Sequence, residues 1–290
     1  MQDVRVDRWS PALGAEVLDI DLGALVRRDD DDRIGLVYDA LIEHQVLFFR
    51  NQGLPPDAHR ELGVRLGELA PRHHSYATLD GHPDVAVLDW LPGIRPDASE
   101  WHSDMTFRAK PPFASILKAI VVPPVGGDTL WASMYSVHDA LDPGFRADLE
   151  TLLVDHDPGQ FRNGAYEAGG NAGIAEMHAR AGGAVWPIIS HHPVTGRPYI
   201  NVSESNSRWI IGLGAAESQR ILSYLFDMIN RPEHHVRLRW QPDTVAIWDN
   251  RATQHYAVAD YTQYRRTMHR VAVDTDRRLE QSIAAHAVRH

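Results

Sequence analysis

The stretch WHSDMTF, Trp101–Phe107, contains a histidine and an aspartate two residues apart, flanked by bulky apolar side chains. Because residues i and i+2 of a β-strand project to the same face, His102 and Asp104 can direct an imidazole nitrogen and a carboxylate oxygen towards one metal ion. A second such pair, in the segment His82–Asp84, is the weaker candidate, since Pro83 has no N–H for a strand ladder and indicates a turn. We therefore predict a metal site in the first stretch.

The segment WDNRATQH, Trp248–His255, offers a third ligand. It follows the apolar run Thr244–Ile247 through a polar turn and ends in a histidine. Two histidines and a carboxylate leave open positions around Fe(II), the arrangement of oxygen-activating iron enzymes, but zinc accepts the same ligands. The set His102, Asp104 and His255 therefore predicts a metal centre and leaves iron and zinc as alternatives.

Two arginines farther along the chain bear on the choice of metal. If Arg265–Val273 (RRTMHRVAV) is a strand, Arg266 and Arg270 share one face and Arg265 points away. A buried guanidinium without an anionic partner is costly, and its planar fork matches a carboxylate. Arg266 could therefore bind the far carboxylate of a dicarboxylic cosubstrate chelated to iron. The alternative is that both arginines pair with surface acids.

Composition excludes several classes of protein. The 290 residues carry a formal charge of -10, which argues against a nucleic-acid partner, and the absence of cysteine excludes disulfides and thiolate metal sites. The first ten residues have no apolar signal region, and no apolar run approaches the length of a membrane span. We expect one domain over residues 1–290 that is soluble and cytoplasmic, with no membrane partner.

Short apolar runs and turn signals predict a mainly β (α+β) fold, with a closed or sandwiched β core and flanking helices. The predicted helices and strands are listed next. Helices are expected at Arg33–His44, from Pro55 to Gly67, around Pro143–Leu153 and at Ala215–Asn230, and strands at Gln45–Arg50, Val85–Trp90, Phe113–Val122, Thr129–Ala132 and Val236–Trp240. The stretch Pro158–Gly183 has no clear period and is expected to be a loop, acting as a lid or binding insert.

Four motifs follow one another along the chain: WHSDMTF at Trp101–Phe107, GGDTLW at Gly126–Trp131, WDNRATQHYA at Trp248–Ala257 and YRRTMHR at Tyr264–Arg270. In their order and spacing they resemble the taurine dioxygenase and 2,4-dichlorophenoxyacetate dioxygenase group of Fe(II)/2-oxoglutarate oxygenases. The resemblance covers nearly the whole chain. It implies a double-stranded β-helix, or jelly roll, with flanking helices.

The same resemblance implies the cofactors and their ligands. His102, Asp104 and His255 correspond to the iron ligands, and Thr129 and Arg266 to the residues that bind 2-oxoglutarate. Dioxygen and 2-oxoglutarate are then consumed, succinate and carbon dioxide are released, and the substrate is hydroxylated. The remaining alternatives to this chemistry are a zinc hydrolase and a non-catalytic jelly roll that binds 2-oxoglutarate.

For the substrate, similarity to taurine dioxygenase suggests an anion held by Arg270, His73 and Tyr76, with His74 as a rival to His73. The favoured substrate is a small alkylsulfonate such as taurine, which would give sulfite and an aldehyde. A sulfate ester, an aryloxyacetate, an amino acid or a natural-product carboxylate are the alternatives. Ala98 departs from the asparagine of the sulfonate enzymes and weakens the assignment. Assembly into a homo-oligomer is a further open possibility.

Overall fold

The computed structural model describes residues 4–71, 76–94, 96, 99–159 and 162–287. Strands occur in every part of the described chain. They are β1 (Arg5–Arg8), β2 (Ala15–Leu18), β3 (Val46–Phe49), β4 (Ala77–Leu79), β5 (His82–Trp90), β6 (Ala114–Val121), β7 (Thr129–Ser133), β8 (Leu153–His156), β9 (Ala184–Pro187), β10 (Ile189–His191), β11 (Pro198–Ile200), β12 (Ser207–Ile210), β13 (His235–Leu238), β14 (Val245–Asp249), β15 (Thr253–Ala257) and β16 (Arg266–Val273).

Helices separate groups of these strands. They are α1 (Leu22–Arg27), α2 (Asp31–His44), α3 (Pro56–Leu66), α4 (Met134–Ala140), α5 (Pro143–Leu149), α6 (Arg162–Ala181), α7 (Ala215–Ile229) and α8 (Arg277–Ala287), with a 3-10 turn at Pro232–His234. The structure confirms the four predicted helices and the predicted strands, with boundaries shifted by a few residues. The short α1 and α4, and α8 near the end of the chain, were not predicted.

The largest sheet has the strand order β1-β2-β3-β14-β6-β16-β5-β4, and its neighbours are antiparallel except for β2 and β3. A smaller sheet of order β13-β7-β15 lies against it. Contacts between aromatic rings join the two sheets: the ring centroid of Trp131 on β7 lies 5.5 Å from Phe48 on β3 and 5.8 Å from Trp248 on β14. The predicted β core with flanking helices is thus present as two facing sheets.

Helices α1, α2 and α3 cover the other face of the large sheet. In β3, Val46 and Phe48 pack between the sheets while Leu47 and Phe49 pack under these helices, so all four side chains are buried. Strands covered on both faces lose the alternation of apolar and polar residues, which explains the continuous apolar run VLFF. By contrast, some of the side chains that β16 directs into the space between the two sheets are polar.

The prediction of a loop at Pro158–Gly183 is wrong, because most of this segment forms α6. Gly169 and Gly170 interrupt this helix, and Gly170 has a φ of 59°. The segment is rich in glycine and alanine, so it lacks the apolar stripe by which an amphipathic helix is detected in a sequence. No helix in the described ranges is both long and apolar enough to cross a membrane.

We predict that Trp131→Ala lowers the free energy of unfolding by about 3–5 kcal/mol, because it leaves a cavity between the two sheets. Urea denaturation followed by circular dichroism measures the change. Trp209→Ala is the matched control, since that tryptophan is 59% exposed and its loss should cost less than about 1 kcal/mol. Equal losses in the two variants would contradict this account of the core.

Candidate metal centre

A pair of backbone hydrogen bonds brings the two predicted histidine ligands together. The N–H of His102 donates to the carbonyl of His255 at 3.2 Å, and the N–H of His255 donates to the carbonyl of His102 at 2.8 Å. His255 lies in the middle of β15, which pairs with β7 on its other side. The imidazole rings of the two histidines consequently lie side by side, with centroids 4.1 Å apart.

The prediction that a strand carries both His102 and Asp104 is wrong. His102 makes an isolated bridge, and the chain turns at Asp104, with Met105 in the left-handed region at a φ of 52°. Asn250 fixes this turn. Its Oδ1 accepts from the N–H of Asp104 at 2.7 Å, and its Nδ2 donates to the carbonyls of Asp104 at 2.9 Å and Pro112 at 3.1 Å.

The potential ligand atoms of His102, Asp104 and His255 all lie within 4.8 Å of one another, and the three side chains are buried. His102 Nδ1 donates to the carbonyl of Glu100 at 2.8 Å, so its Nε2 keeps a lone pair for a metal. His255 Nε2 lies 3.9 Å from Asp104 Oδ1. The donor set therefore fits a divalent metal ion bound on one face, and Fe(II) and Zn(II) both suit it.

Electrostatics favour the ligating protonation states. Burial, together with the nearby His102, lowers the pKa of His255 to about 3, so this imidazole is neutral at pH 7. Burial alone would raise the pKa of Asp104, but Arg270, the two histidines and the Ser115 hydroxyl hold it well below its usual range. Asp104 is consequently ionised, with Oδ2 accepting from Ser115 Oγ at 2.8 Å and Oδ1 from Arg270 at 3.0 Å.

Arg266 is buried beside the metal-ligand cluster, and only 2% of its surface is exposed. The rings of Trp90, Trp240 and Tyr261 surround its guanidinium at 5.6–5.9 Å. Its Nη2 donates to Thr129 Oγ1 at 3.4 Å. Among the described residues, its Nε has no hydrogen-bond partner and no carboxylate forms an ion pair with it. Burial lowers the pKa of Arg266, and a buried cation of this kind requires an anion.

One pocket connects these groups. Its lining includes His102, Asp104 and His255 with Thr129, Arg266, Arg270 and Tyr76, and it is completed by Leu88, Trp90, Met105, Leu117, Trp248 and Ala257. Strand β16 therefore directs Arg266 and Arg270 inward, as predicted, whereas Arg265 binds Asp89 on the surface at 2.8 Å. The guanidinium of Arg270 lies 5.6 Å from the ring centroid of Tyr76.

The sequence also singled out His73, His74 and the pair His82 and Asp84. His73 and its rival His74 fall outside the described residues, as does Ala98. His82 and Asp84 begin β5 rather than a turn. They contact Asp57 at 3.4 Å and Arg60 at 2.7 Å respectively, so this pair is not part of the metal-ligand cluster.

Sequence reasoning missed Asn250, Ser115 and Met105. Asn250 had a detectable signal, because it is a polar residue in the turn directly after a buried strand and before a predicted ligand. Ser115 lies in an apolar strand, and Met105 follows a ligand without any local pattern, so neither could be found without the three-dimensional contacts.

Comparison with known proteins gives concordant results. A family model described as "Taurine catabolism dioxygenase TauD, TfdA family" matches residues 5–272. The chain is 30% identical over 282 residues to an alkylsulfatase of Acinetobacter baylyi, covering 94% of this chain and 85% of that protein. It is 32% identical over 266 residues to an alpha-ketoglutarate-dependent sulfate ester dioxygenase of Pseudomonas putida, covering 90% and 86%. The crystal structure of a taurine dioxygenase from Burkholderia xenovorans superposes with a TM-score of 0.79 at 30% identity, covering 94% and 90%.

We predict that Asn250→Ala weakens metal binding by about 10- to 100-fold, because the turn that aims Asp104 loses three hydrogen bonds. Calorimetric titration of the metal-free protein with Zn(II) measures the affinity without turnover. Asn201→Ala serves as the control, since Asn201 donates to Ser190 away from the ligand cluster. An unchanged affinity in a folded Asn250→Ala protein would show that Asn250 does not position the ligand.

Proposed function

Because the chain belongs to the TauD/TfdA family of dioxygenases, which use Fe(II), 2-oxoglutarate and dioxygen, we propose that it hydroxylates an organic sulfate ester. The hydroxyl group enters at the carbon that bears the sulfate oxygen. The product then breaks its carbon–oxygen bond to sulfate and gives an aldehyde and inorganic sulfate. We also infer that the two facing sheets form the double-stranded β-helix of this family.

In this proposal, His102, Asp104 and His255 hold the iron. The neutral His255 and the ionised Asp104 are the forms that bind a metal. Hydrogen bonds orient the ligands: His102 donates to the Glu100 carbonyl, Asp104 accepts from Ser115, and the N–H of Asp104 donates to Asn250. Iron, 2-oxoglutarate and dioxygen would supply the oxidising chemistry when bound, with one oxygen atom entering succinate as carbon dioxide is released and the other entering the substrate as hydroxyl.

The observation that carries the proposal is that no carboxylate of the described residues pairs with the buried Arg266. A zinc hydrolase with the same ligands would not require a buried guanidinium that faces the pocket. The far carboxylate of 2-oxoglutarate would pair with Arg266 and accept a hydrogen bond from the Thr129 hydroxyl, which itself accepts from Trp240 Nε1 at 2.9 Å.

The charges of the pocket select the substrate class. Arg270 and Tyr76 lie on the side of the pocket near Asp104, and we assign them, with His73, to the anionic group of the substrate. Among the described lining residues Asp104 is the sole carboxylate, so nothing there balances an ammonium group such as that of taurine. Leu88, Leu117 and Met105 instead provide apolar surface. An alkyl sulfate fits this lining better than an aminosulfonate.

An unsubstituted alkylsulfonate is the second candidate, because its head group has a similar shape and the same charge, and because a taurine dioxygenase is among the similar structures. Hydroxylation beside its sulfur would release sulfite instead of sulfate. The released ion therefore distinguishes the two reactions directly.

Replacing Arg266 with glutamine should raise the 2-oxoglutarate concentration required for half-maximal turnover by about 100-fold, since a buried charge-assisted pair is lost. Succinate release at varied 2-oxoglutarate measures the effect. Arg265→Gln is the matched control, because Arg265 lies one residue earlier and binds Asp89 on the surface. If both variants behave alike, the cosubstrate does not bind at Arg266.

A substrate panel tests the proposed reaction. We expect alkyl sulfates to stimulate succinate release and to yield one inorganic sulfate per succinate, whereas taurine should have a kcat/KM at least about tenfold lower, because its ammonium group is desolvated without a partner. Ion chromatography of sulfate and sulfite gives the stoichiometry. Efficient turnover of taurine, or of aryloxyacetates in preference to alkyl sulfates, would refute the assignment.

A further inference from the structure

A tryptophan outside the pocket holds the turn that follows Asp104. The indole Nε1 of Trp186 donates to the backbone carbonyl of Thr106 at 2.7 Å, and Thr106 is the second residue after Asp104. Trp186 lies on β9, an edge strand of the sheet with the order β12-β8-β9. The hydrogen bond therefore connects the turn to a sheet from which none of the described pocket-lining residues comes.

The pattern of β9 explains why this indole faces inward. Val185 and Pro187 are exposed, whereas Trp186 between them is partly buried, as the alternation of side chains along a strand requires. Trp186 lies opposite the fully buried Val154 on β8, and its ring packs against the core there. Since Nε1 is the one polar atom of an indole ring, the packed ring presents a fixed donor to the carbonyl of Thr106.

Three successive carbonyls of the turn accept hydrogen bonds. That of Asp104 accepts from Asn250 at 2.9 Å, and that of Met105 accepts from the N–H of Arg108 at 3.0 Å. The bond to Thr106 is the third. Met105 has a φ of 52°, a left-handed conformation that residues with a side chain rarely adopt. The turn therefore depends on such contacts to keep its shape.

Loss of the bond from Trp186 would leave the carbonyl of Thr106 unpaired. Because Thr106 is buried and an unpaired buried carbonyl is costly, the turn would rotate to bring this group towards water. Such a rotation moves the two preceding residues as well. Met105 lines the pocket, and Asp104 offers its carboxylate to the metal-ligand cluster. One hydrogen bond outside the pocket thus bears on a metal ligand and on the pocket wall.

We propose that Trp186 is a positioning residue for the metal centre, and that its hydrogen bond to Thr106 sets the direction in which Asp104 presents its carboxylate to the metal ion. The proposal rests on the proposed function for the assignment of Asp104 as a metal ligand. It adds a determinant of metal affinity and metal geometry that lies on a separate sheet. The effect passes through the backbone of the turn.

Trp186→Phe tests the bond, because it keeps an aromatic ring in the core and removes the N–H donor. Calorimetric titration of the metal-free variant with Zn(II) should show an affinity at least about fivefold lower than that of the unaltered protein, since groups that support metal ligands contribute about 10- to 100-fold. Trp209→Phe is the matched control: Trp209 lies on β12 of the same sheet and is exposed, so its loss should change the affinity by less than about twofold.

A second measurement separates positioning from a purely structural role. The visible absorption of bound Co(II) depends on the number and arrangement of its ligands. We expect the Co(II)-loaded Trp186→Phe protein to show shifted absorption bands and the Trp209→Phe protein to keep the spectrum of the unaltered protein. A Trp186→Phe protein that is less stable to urea, but that has an unchanged spectrum and unchanged Zn(II) affinity, would show that the indole only packs in the core.

A double-mutant cycle with Asn250 tests whether the effect passes through the turn. Asn250 and Trp186 hold the same turn at two points, so neither can fix Asp104 once the other is lost. In an Asn250→Ala background, Trp186→Phe should therefore lower the Zn(II) affinity by less than about twofold. An equal loss in both backgrounds would mean that Trp186 acts by another route, and would overturn the proposal.

The same bond can be weakened from its acceptor, which keeps the test decisive if Trp186→Phe is poorly folded. Replacing the N–H of Phe107 with an ester oxygen makes the carbonyl of Thr106 a poorer acceptor and leaves every side chain unchanged. We expect this protein to bind Zn(II) at least about threefold more weakly. An unchanged affinity contradicts a positioning role for the bond.

The outcomes separate this proposal from the proposed reaction. Zn(II) binding that Trp186→Phe leaves intact overturns the positioning role even if the iron enzyme turns over alkyl sulfates. Zn(II) binding that depends on Trp186, combined with no release of succinate from the iron enzyme, supports the positioning role and refutes the reaction. An unaltered protein that binds no Zn(II) at all overturns both.

Discussion

The paired backbone hydrogen bonds between His102 and His255 are the contact on which the metal centre depends. They attach the segment after β5 to the edge of the small sheet, so that two histidines distant in sequence lie side by side. A third ligand cannot come from an extended strand in this position, because the chain must turn to bring Asp104 towards both rings. Asn250 makes that turn possible by satisfying the N–H and the carbonyl of Asp104 in the buried interior.

The turn between β14 and β15 is held by a buried ionic network. Asp249 accepts from His192 at 3.0 Å and from Arg251 at 2.6 Å, and Arg251 also binds Asp276 at 2.9 Å. Burial would raise the pKa of Asp249, but Arg251 and His192 more than offset this effect and hold the pKa well below its usual range. Such a network adds little net stability, because its charges are desolvated. Its effect is geometric, since it fixes the chain on both sides of Asn250.

The sequence predicted what short-range periodicity can encode. Alternation in β16 correctly directed Arg266 and Arg270 inward and Arg265 outward, and the apolar strand before the polar turn correctly placed His255. The strand geometry expected for His102 and Asp104 is not present, because the backbone makes a single bridge at His102 and then turns. Two ligand residues at i and i+2 occur in either conformation, so their spacing does not distinguish the two. The hydrogen bond from Ser115 to Asp104 depends on how the large sheet packs against the turn that contains Asp104. The local sequence around either residue does not encode this packing. Helix α6 was missed because its residues carry no apolar stripe.

The charges of the residues that line the pocket also indicate the net charge of the ligands that it can bind. Among the described lining residues, the ionised Asp104 offsets one of the two charges of the buried Arg266 and Arg270. With a divalent metal ion bound, three positive charges would be left among these groups. In the proposed complex, the 2-oxoglutarate dianion would offset two of them, and a monoanionic substrate would offset the third. A zwitterion would leave one positive charge unbalanced, and a dianion would exceed the balance, and either state is costly where water is excluded. An alkyl sulfate or alkylsulfonate is monoanionic, so the proposed assignment of Arg266 to 2-oxoglutarate and of Arg270 to the substrate would also disfavour substrates of other net charge.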